Sequence, residues 1–304
     1  MPTIPCAGRS PATHACAAAA LVAAAAVVLA STAPPGPLSR QGHGDIELIP
    51  ASVLQSNLLV AWYGNPHTPQ MGVLGASTGE ALASGLAQQA RAFASLTAKR
   101  VQPAYELVTV VAQNRAGADG KWRRREAPTV IEQMLAEARA HHFKLILDVQ
   151  VGHSDVRTEL AYVRRYLEEP DVYLALDPEF HMWERQQPGR VIGHTPAGEV
   201  NYAINCLAAT VASKGLPAKV LIVHQFTIDM LPDKENIRSA PGVDVVLDMD
   251  GWGGRPLKLA IYRMVMRKPL RFAAIKLFYD EDDDLLDPRS VMALTPTPSV
   301  VIYQ

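Results

Sequence analysis

LALDPEF, residues 174–180, ends in two carboxylates two positions apart, Asp177 and Glu179. LDMDGWGG, residues 247–254, repeats the spacing with Asp248 and Asp250. Residues i and i+2 of a β-strand share a face, so each segment gathers two like charges at one strand end. Like charges raise one another's pKa, which favours a protonated acid beside an ionised partner. Hydrolysis of a glycosidic bond requires one carboxylic acid and one carboxylate flanking the bond. Any one acid alone could simply cap a helix, but capping does not require paired acids on two strands. The outermost member of each pair, Glu179 and Asp250, is the candidate for chemistry, with Asp177 and Asp248 tuning or binding beneath them. A carboxyl separation of about 5–5.5 Å would mean retention and about 6.5–9.5 Å inversion.

Other polar side chains punctuate the ends of apolar runs. They are Tyr63 and Asn65 in AWYGN, Gln113 in VVAQN, Asp148 and Gln150 in LILDVQVG, His224 and Gln225 in LIVHQF, and Lys276 and Tyr279 in IKLFYD. Amides, hydroxyls and imidazoles of this kind bind sugar hydroxyls. His224 has a plainer reading as a core histidine bonded to nearby backbone. Trp252, in a glycine-rich loop, offers an indole face on which a pyranose can stack. Trp183 is open to the same role, and Trp62 reads as core.

Eight short β-rich runs carry these residues: 57–65, 104–114, 143–152, 171–180, 218–226, 243–251, 271–280 and 299–304. Segments 78–98, 129–142, 156–169, 198–215 and 255–268 lie between them and have helical apolar spacing. The links 227–242 and 281–298 are less regular and read as short helices. Near-continuous apolar strands joined by crossovers imply parallel strands buried on both faces. Eight of them close a (β/α)8 barrel, the TIM barrel, which usually takes about 250 residues; residues 57–304 have that length and read as one domain. The alternative, an open doubly wound sheet, would carry a glycine-rich phosphate loop after its first strand, and YGNPHTPQMGVLG does not match one. In a barrel of this type the working groups stand at the C-terminal strand ends, where these polar residues fall.

Much chemistry is excluded. HExxH, nucleophile-elbow and phosphate-loop patterns are absent, so neither a metal nor a cofactor is expected. The acidic run DEDDD, 280–284, does not fit a Ca²⁺ loop and reads as solvated, as does KWRRR at 121–125. Cys206 reads as buried filler. The chain has 304 residues, 48% hydrophobic and 19% charged, with a formal net charge of −1. That balance gives no electrostatic case for nucleic acid. Residues 1–33, with the apolar run 16–30, read as a secretory signal peptide or a retained anchor, and 34–56 as a linker leading into the barrel. An exported or cell-envelope location follows, with membrane contact only through an uncleaved signal.

Residues 57–304 resemble secreted glycoside-hydrolase barrels that place their acids on strands four and six, as LALDPEF and LDMDGWGG do. Many such barrels use strands four and seven instead, and IKLFYDED departs from that arrangement. The chain also resembles exported bacterial proteins sharing these strand-end motifs. The resemblance to the glycoside-hydrolase barrels implies hydrolysis of a cell-wall or extracellular polysaccharide; the likeness to the exported proteins carries over no activity. Two other functions compete: a non-catalytic carbohydrate-binding barrel, and a divalent-metal phosphodiesterase using Asp148, Glu179 and Asp250.

Overall fold

The computed structural model describes residues 50–304. The expected signal peptide, Cys6, Cys16 and most of the linker lie outside the described residues. Eight parallel strands form the sheet: β1 (Asn57–Gly64), β2 (Arg100–Ala112), β3 (Lys144–Val149), β4 (Val172–Leu176), β5 (Lys219–His224), β6 (Val243–Met249), β7 (Phe272–Leu277) and β8 (Val300–Tyr303). Each pairs with the next, and β1 pairs with β8, so the sheet closes. This is a (β/α)8 barrel.

Among the described residues, six helices of five residues or more cover the outside: α1 (Gly79–Arg91), α2 (Pro128–Ala140), α3 (Val156–Leu167), α4 (Ala197–Lys214), α5 (Arg255–Val265) and α6 (Pro288–Met292). After β5 the chain makes only two 3₁₀ turns, and after β7 only the short α6, so the irregular sequence of those links is reflected in the structure. One element escapes the eight-strand pattern: Arg123–Arg125 pairs antiparallel with β2. The expectation of a solvated KWRRR loop is therefore corrected. Arg123 and Arg125 clamp the buried Glu159 at 2.8 and 2.7 Å, tying the loop to α3.

The alternating strand pattern divides the core in two. One face of each strand packs on the helices. The other fills the barrel with Leu59, Ala61, Ala104, Ile146, Ala175, Ile222, Val246, Ala274 and Ile302 among others. Small alanines facing branched side chains allow the layers to interdigitate. The N-terminal end of the barrel is plugged by the helical turn Val53–Ser56. Its Leu54 enters the interior cluster, and Ser52 Oγ and the Leu54 amide both donate to Asp244 Oδ2 at 2.9 Å. With that end closed among the described residues, the barrel interior opens toward the C-terminal strand ends.

Candidate functional site

The interior positions change character along each strand. Two residues beyond an apolar interior residue, every barrel strand turns polar: Ala61 leads to Tyr63, Ala104 to Glu106, Ile146 to Asp148, Ala175 to Asp177, Ile222 to His224, Val246 to Asp248, Ala274 to Lys276 and Ile302 to Gln304. The period-two geometry of strands thus aims eight polar side chains at one axis. Gln150 and Asp250 lie one further step out on β3 and β6.

The lower tier is a closed charge cluster around His224, which has no exposed surface. His224 Nδ1 is 2.8 Å from Asp248 Oδ2 and 3.8 Å from Asp250 Oδ2. Nε2 is 3.2 Å from Glu106 Oε1 and 4.0 Å from Asp148 Oδ1. The Glu106 contact lies off the hydrogen-bonding direction and is coulombic, since both Glu106 oxygens are buried without a hydrogen-bond partner. Burial alone would push the imidazole down. The hydrogen bond to Asp248 and the charges of Glu106 and Asp248 outweigh it and hold His224 well above its ordinary value. His224 is therefore an imidazolium, the countercharge of the cluster. Asp148 accepts from Tyr63 Oη at 3.0 Å, and burial, with the charges of Asp177 and Glu106, pushes it up to about 7 against the pull of His224.

The upper tier faces an open cleft of about 530 Å³, lined by Tyr63, Gln150, Asp177, Glu179, Asp250, Trp252 and Lys276 among others. The pair on β4 separates by role. Asp177 Oδ1 accepts from the Glu179 amide at 3.1 Å, capping the turn Pro178–Phe180, and its Oδ2 accepts from Gln150 Nε2 at 3.1 Å. Glu179 has no such tether among the described residues. Burial pushes Glu179 up to about 8, reinforced by the charges of Asp177 and Asp250. Burial also raises Asp250 to about 7, with Asp177 adding and His224 opposing. One oxygen of Asp250 is buried without a partner. Lys276 Nζ sits 3.3 Å from the centre of the Tyr63 ring, a cation–π contact that holds the lysine over the barrel axis.

Trp252 is 62% exposed above this cleft. Its loop is fixed from below by Asp282, which accepts from the Gly253 amide at 2.9 Å and the Phe278 amide at 3.0 Å and pairs with the buried Lys258. Gly253 has φ +127°, a conformation open to glycine. The expectation of a wholly solvated acidic run is corrected at Asp282, which is buried.

The structure thus brings together Tyr63, Gln150, Asp177, Glu179, Asp250, Trp252 and Lys276 on the cleft, with Asp148, His224 and Asp248 directly beneath. Five expected residues stand elsewhere. Asn65 is buried and donates to Val108 O and Glu126 Oε1. Gln113 bonds backbone on its own strand. Gln225, one position past His224, faces away from the axis and accepts from Lys234 Nζ at 2.8 Å. Tyr279 breaks the parity of Lys276 and Phe278, so its ring lies outside the carboxylate cleft and stacks on Tyr303. Trp183 stacks on His181 and His194, with centroids 4.9 and 5.2 Å away, and does not line the carboxylate cleft. Trp62 packs outward against α1, where its ring occupies the space a side chain at Gly85 would need. Sequence reasoning missed Glu106. The signal was a lone acid in AYELVTVV with the parity of Ala104, an interior position.

The donor atoms of His224, Asp248 and Asp250 lie within 4.8 Å of one another, as a metal site requires. The imidazole does not fit that role. Carboxylates face both ring nitrogens, so both carry protons and neither offers a lone pair.

No protein-family model matches the chain, and no curated protein matches it. Among solved structures it is weakly similar to one described as a putative alpha amylase from Salmonella typhimurium, at 12% identity and a TM-score of 0.26. The match covers 79% of this chain and 36% of that one, so the chain spans about a third of that protein's length.

Proposed function

We propose that this barrel is a glycoside hydrolase in which Glu179 is the general acid and Asp250 the partner carboxylate. The observation that carries the reading is that both line one open cleft at the C-terminal barrel mouth beside the exposed Trp252. Glu179, held near 8, keeps its proton at neutral pH and can give it to a leaving oxygen. Asp250, near 7, is substantially ionised there and can support an oxocarbenium-like centre or activate water. Gln150, Tyr63 and Lys276 supply hydroxyl-binding groups, and Trp252 a ring face. Asp177 and the His224 cluster position and charge-balance the pair.

The test is reducing-sugar release from a panel of cell-wall and storage polysaccharides. Glu179→Gln should lower kcat by about 10²–10⁴-fold, the usual worth of a positioned acid, and Asp250→Asn should lower it comparably. Hydrolysis that both variants leave intact would remove the assignment. A metal-dependent phosphodiesterase is the disfavoured reading, because the cleft is lined by carboxylates and the imidazole beside Asp248 and Asp250 offers no lone pair to a metal. Cleavage of bis-p-nitrophenyl phosphate that disappears with EDTA would favour it. Export belongs to the same proposal, supported by the apolar run 16–30. Amino-terminal sequencing of protein recovered outside the cell tests it, with a start beyond residue 30 expected.

A further inference from the structure

A second cavity, of about 390 Å³, adjoins the first and shares Gln70, Glu281 and Gln304 with it as lining residues. Tyr279 and Trp62, absent from the first cavity's lining, line this one. Tyr279 is 40% exposed, yet it is fixed on its other side. Its ring lies parallel to buried Tyr303, with centroids 5.4 Å apart and planes at 20°, and its Oη donates to Gln89 Oε1 at 3.3 Å. A rigid aromatic face with one open side loses little entropy on binding a ring. Two amides, Gln70 and Gln304, stand at the junction of the cavities. Trp252 and Tyr279 therefore offer two separate stacking faces along one continuous groove, with Glu179 and Asp250 at the first.

The charge of the groove is one-sided. Asp177, Glu179, Asp250 and Glu281 line the first cavity, and Asp280 and Glu281 the second. Lys276 is the one cation among the described lining residues, and it is held on the Tyr63 ring. An acidic sugar would bring a further negative charge against this wall.

We propose that the groove holds an extended glycan free of acidic sugars, with one unit beside Trp252 and a following unit stacked on Tyr279. The proposal rests on the glycoside-hydrolase reading and names its substrate class: a neutral or amine-bearing chain long enough to bridge both cavities.

The test is titration calorimetry of the full chain with cellobiose and cellotetraose, maltose and maltotetraose, and chitobiose and chitotetraose, alongside tetragalacturonate. Reducing-end release is measured in the same samples. In at least one neutral series the tetramer should bind about tenfold tighter than the dimer, the size of one aromatic contact. Tyr279→Ala should remove that difference and leave dimer binding within about twofold. Tyr279→Phe should retain it. Tetragalacturonate should not bind, and Glu281→Lys should admit it. Equal binding of dimer and tetramer, equal weakening of both by Tyr279→Ala, or tight binding of tetragalacturonate to the natural chain would each overturn the inference. Hydrolysis without a Tyr279-dependent length effect sinks the second subsite alone. A Tyr279-dependent length effect without hydrolysis sinks the catalytic reading alone, and no saccharide binding sinks both.

Discussion

Replacing Glu179 by Gln should make the barrel more stable, increasingly so as pH rises from 4.5 to about 8. Folding moves this carboxyl from 4.5 to about 8, first through burial and then through the charges of Asp177 and Asp250. Between those values the folded chain holds a proton that the unfolded chain has lost. Stability therefore falls as pH rises through the window; the contribution is complete below pH 4.5 and gone above pH 8. At about 1.4 kcal/mol per pH unit the full span is worth ~5 kcal/mol. Asp148 and Asp250, both pushed up to about 7, belong to the same cluster and relax when one charge is removed. A single substitution should thus recover about half, ~2–3 kcal/mol. The Glu179 side chain makes no hydrogen bond among the described residues, so Gln breaks none. For a domain of this size about 1 kcal/mol shifts Tm by ~2–4 °C, which predicts a gain of about 5–10 °C at pH 9 and little change at pH 5. Differential scanning calorimetry of both proteins at the two pH values measures it. A gap that is the same at both, or a variant less stable at pH 9, would refute the idea that Glu179 is held protonated by its surroundings.

Further outcomes follow from the same geometry. The activity profile should be a narrow bell, with kcat/KM rising as Asp250 ionises near pH 7 and falling as Glu179 loses its proton near pH 8; an optimum below pH 6 would contradict the roles. Glu106→Gln should lower the pKa of the His224 imidazolium, read from its ring-proton chemical shift across pH, because one carboxylate facing Nε2 is lost. Asp282→Asn leaves the buried Lys258 without its charge partner, which should cost about 3–5 kcal/mol in chemical denaturation. The same variant should loosen the Trp252 loop, seen as reduced fluorescence anisotropy at that tryptophan.

The barrel was legible because its strands are apolar on both faces and its helices are periodic. Eight such strands recur, with helical periodicity in five of the seven links between them, and few folds accept that pattern. The carboxyl pairs were legible for a related reason: Asp177–Glu179 and Asp248–Asp250 interrupt apolar strands at their ends. Harder to read was the depth of each residue. The i, i+2 rule puts Asp248 and Asp250 on one face, yet one lies in the closed tier and the other on the cleft, and depth depends on strand stagger. Parity also decides the misplaced residues. Gln225 and Tyr279 sit at strand ends on the opposite face from His224 and Phe278, while Gln113 follows a register shift between Val108 and Val110. Glu106 was hidden because it precedes the strand's end, in a run otherwise suited to the core.

Charge balance connects these placements to chemistry. Six carboxyl groups, Glu106, Asp148, Asp177, Glu179, Asp248 and Asp250, converge near the barrel axis with His224 and Lys276 as cations. All six ionised would leave a surplus that burial does not tolerate. The proton held on Glu179 and the partial protonation of Asp148 and Asp250, both raised to about 7, remove part of it. The residual field is negative and fixed by rigid strands before any ligand arrives. An oxocarbenium-like centre gains positive charge only in the transition state, so such a field stabilises it more than the neutral ground state. The imidazolium beneath limits that field and keeps Asp250 from rising further. Replacing His224 by an uncharged residue should therefore raise Asp250 and Asp148, keep Asp250 protonated at neutral pH, and shift the rising limb of the pH–rate profile to higher pH. A profile whose rising limb did not move would separate the lower tier from the chemistry and leave His224 a purely structural ion.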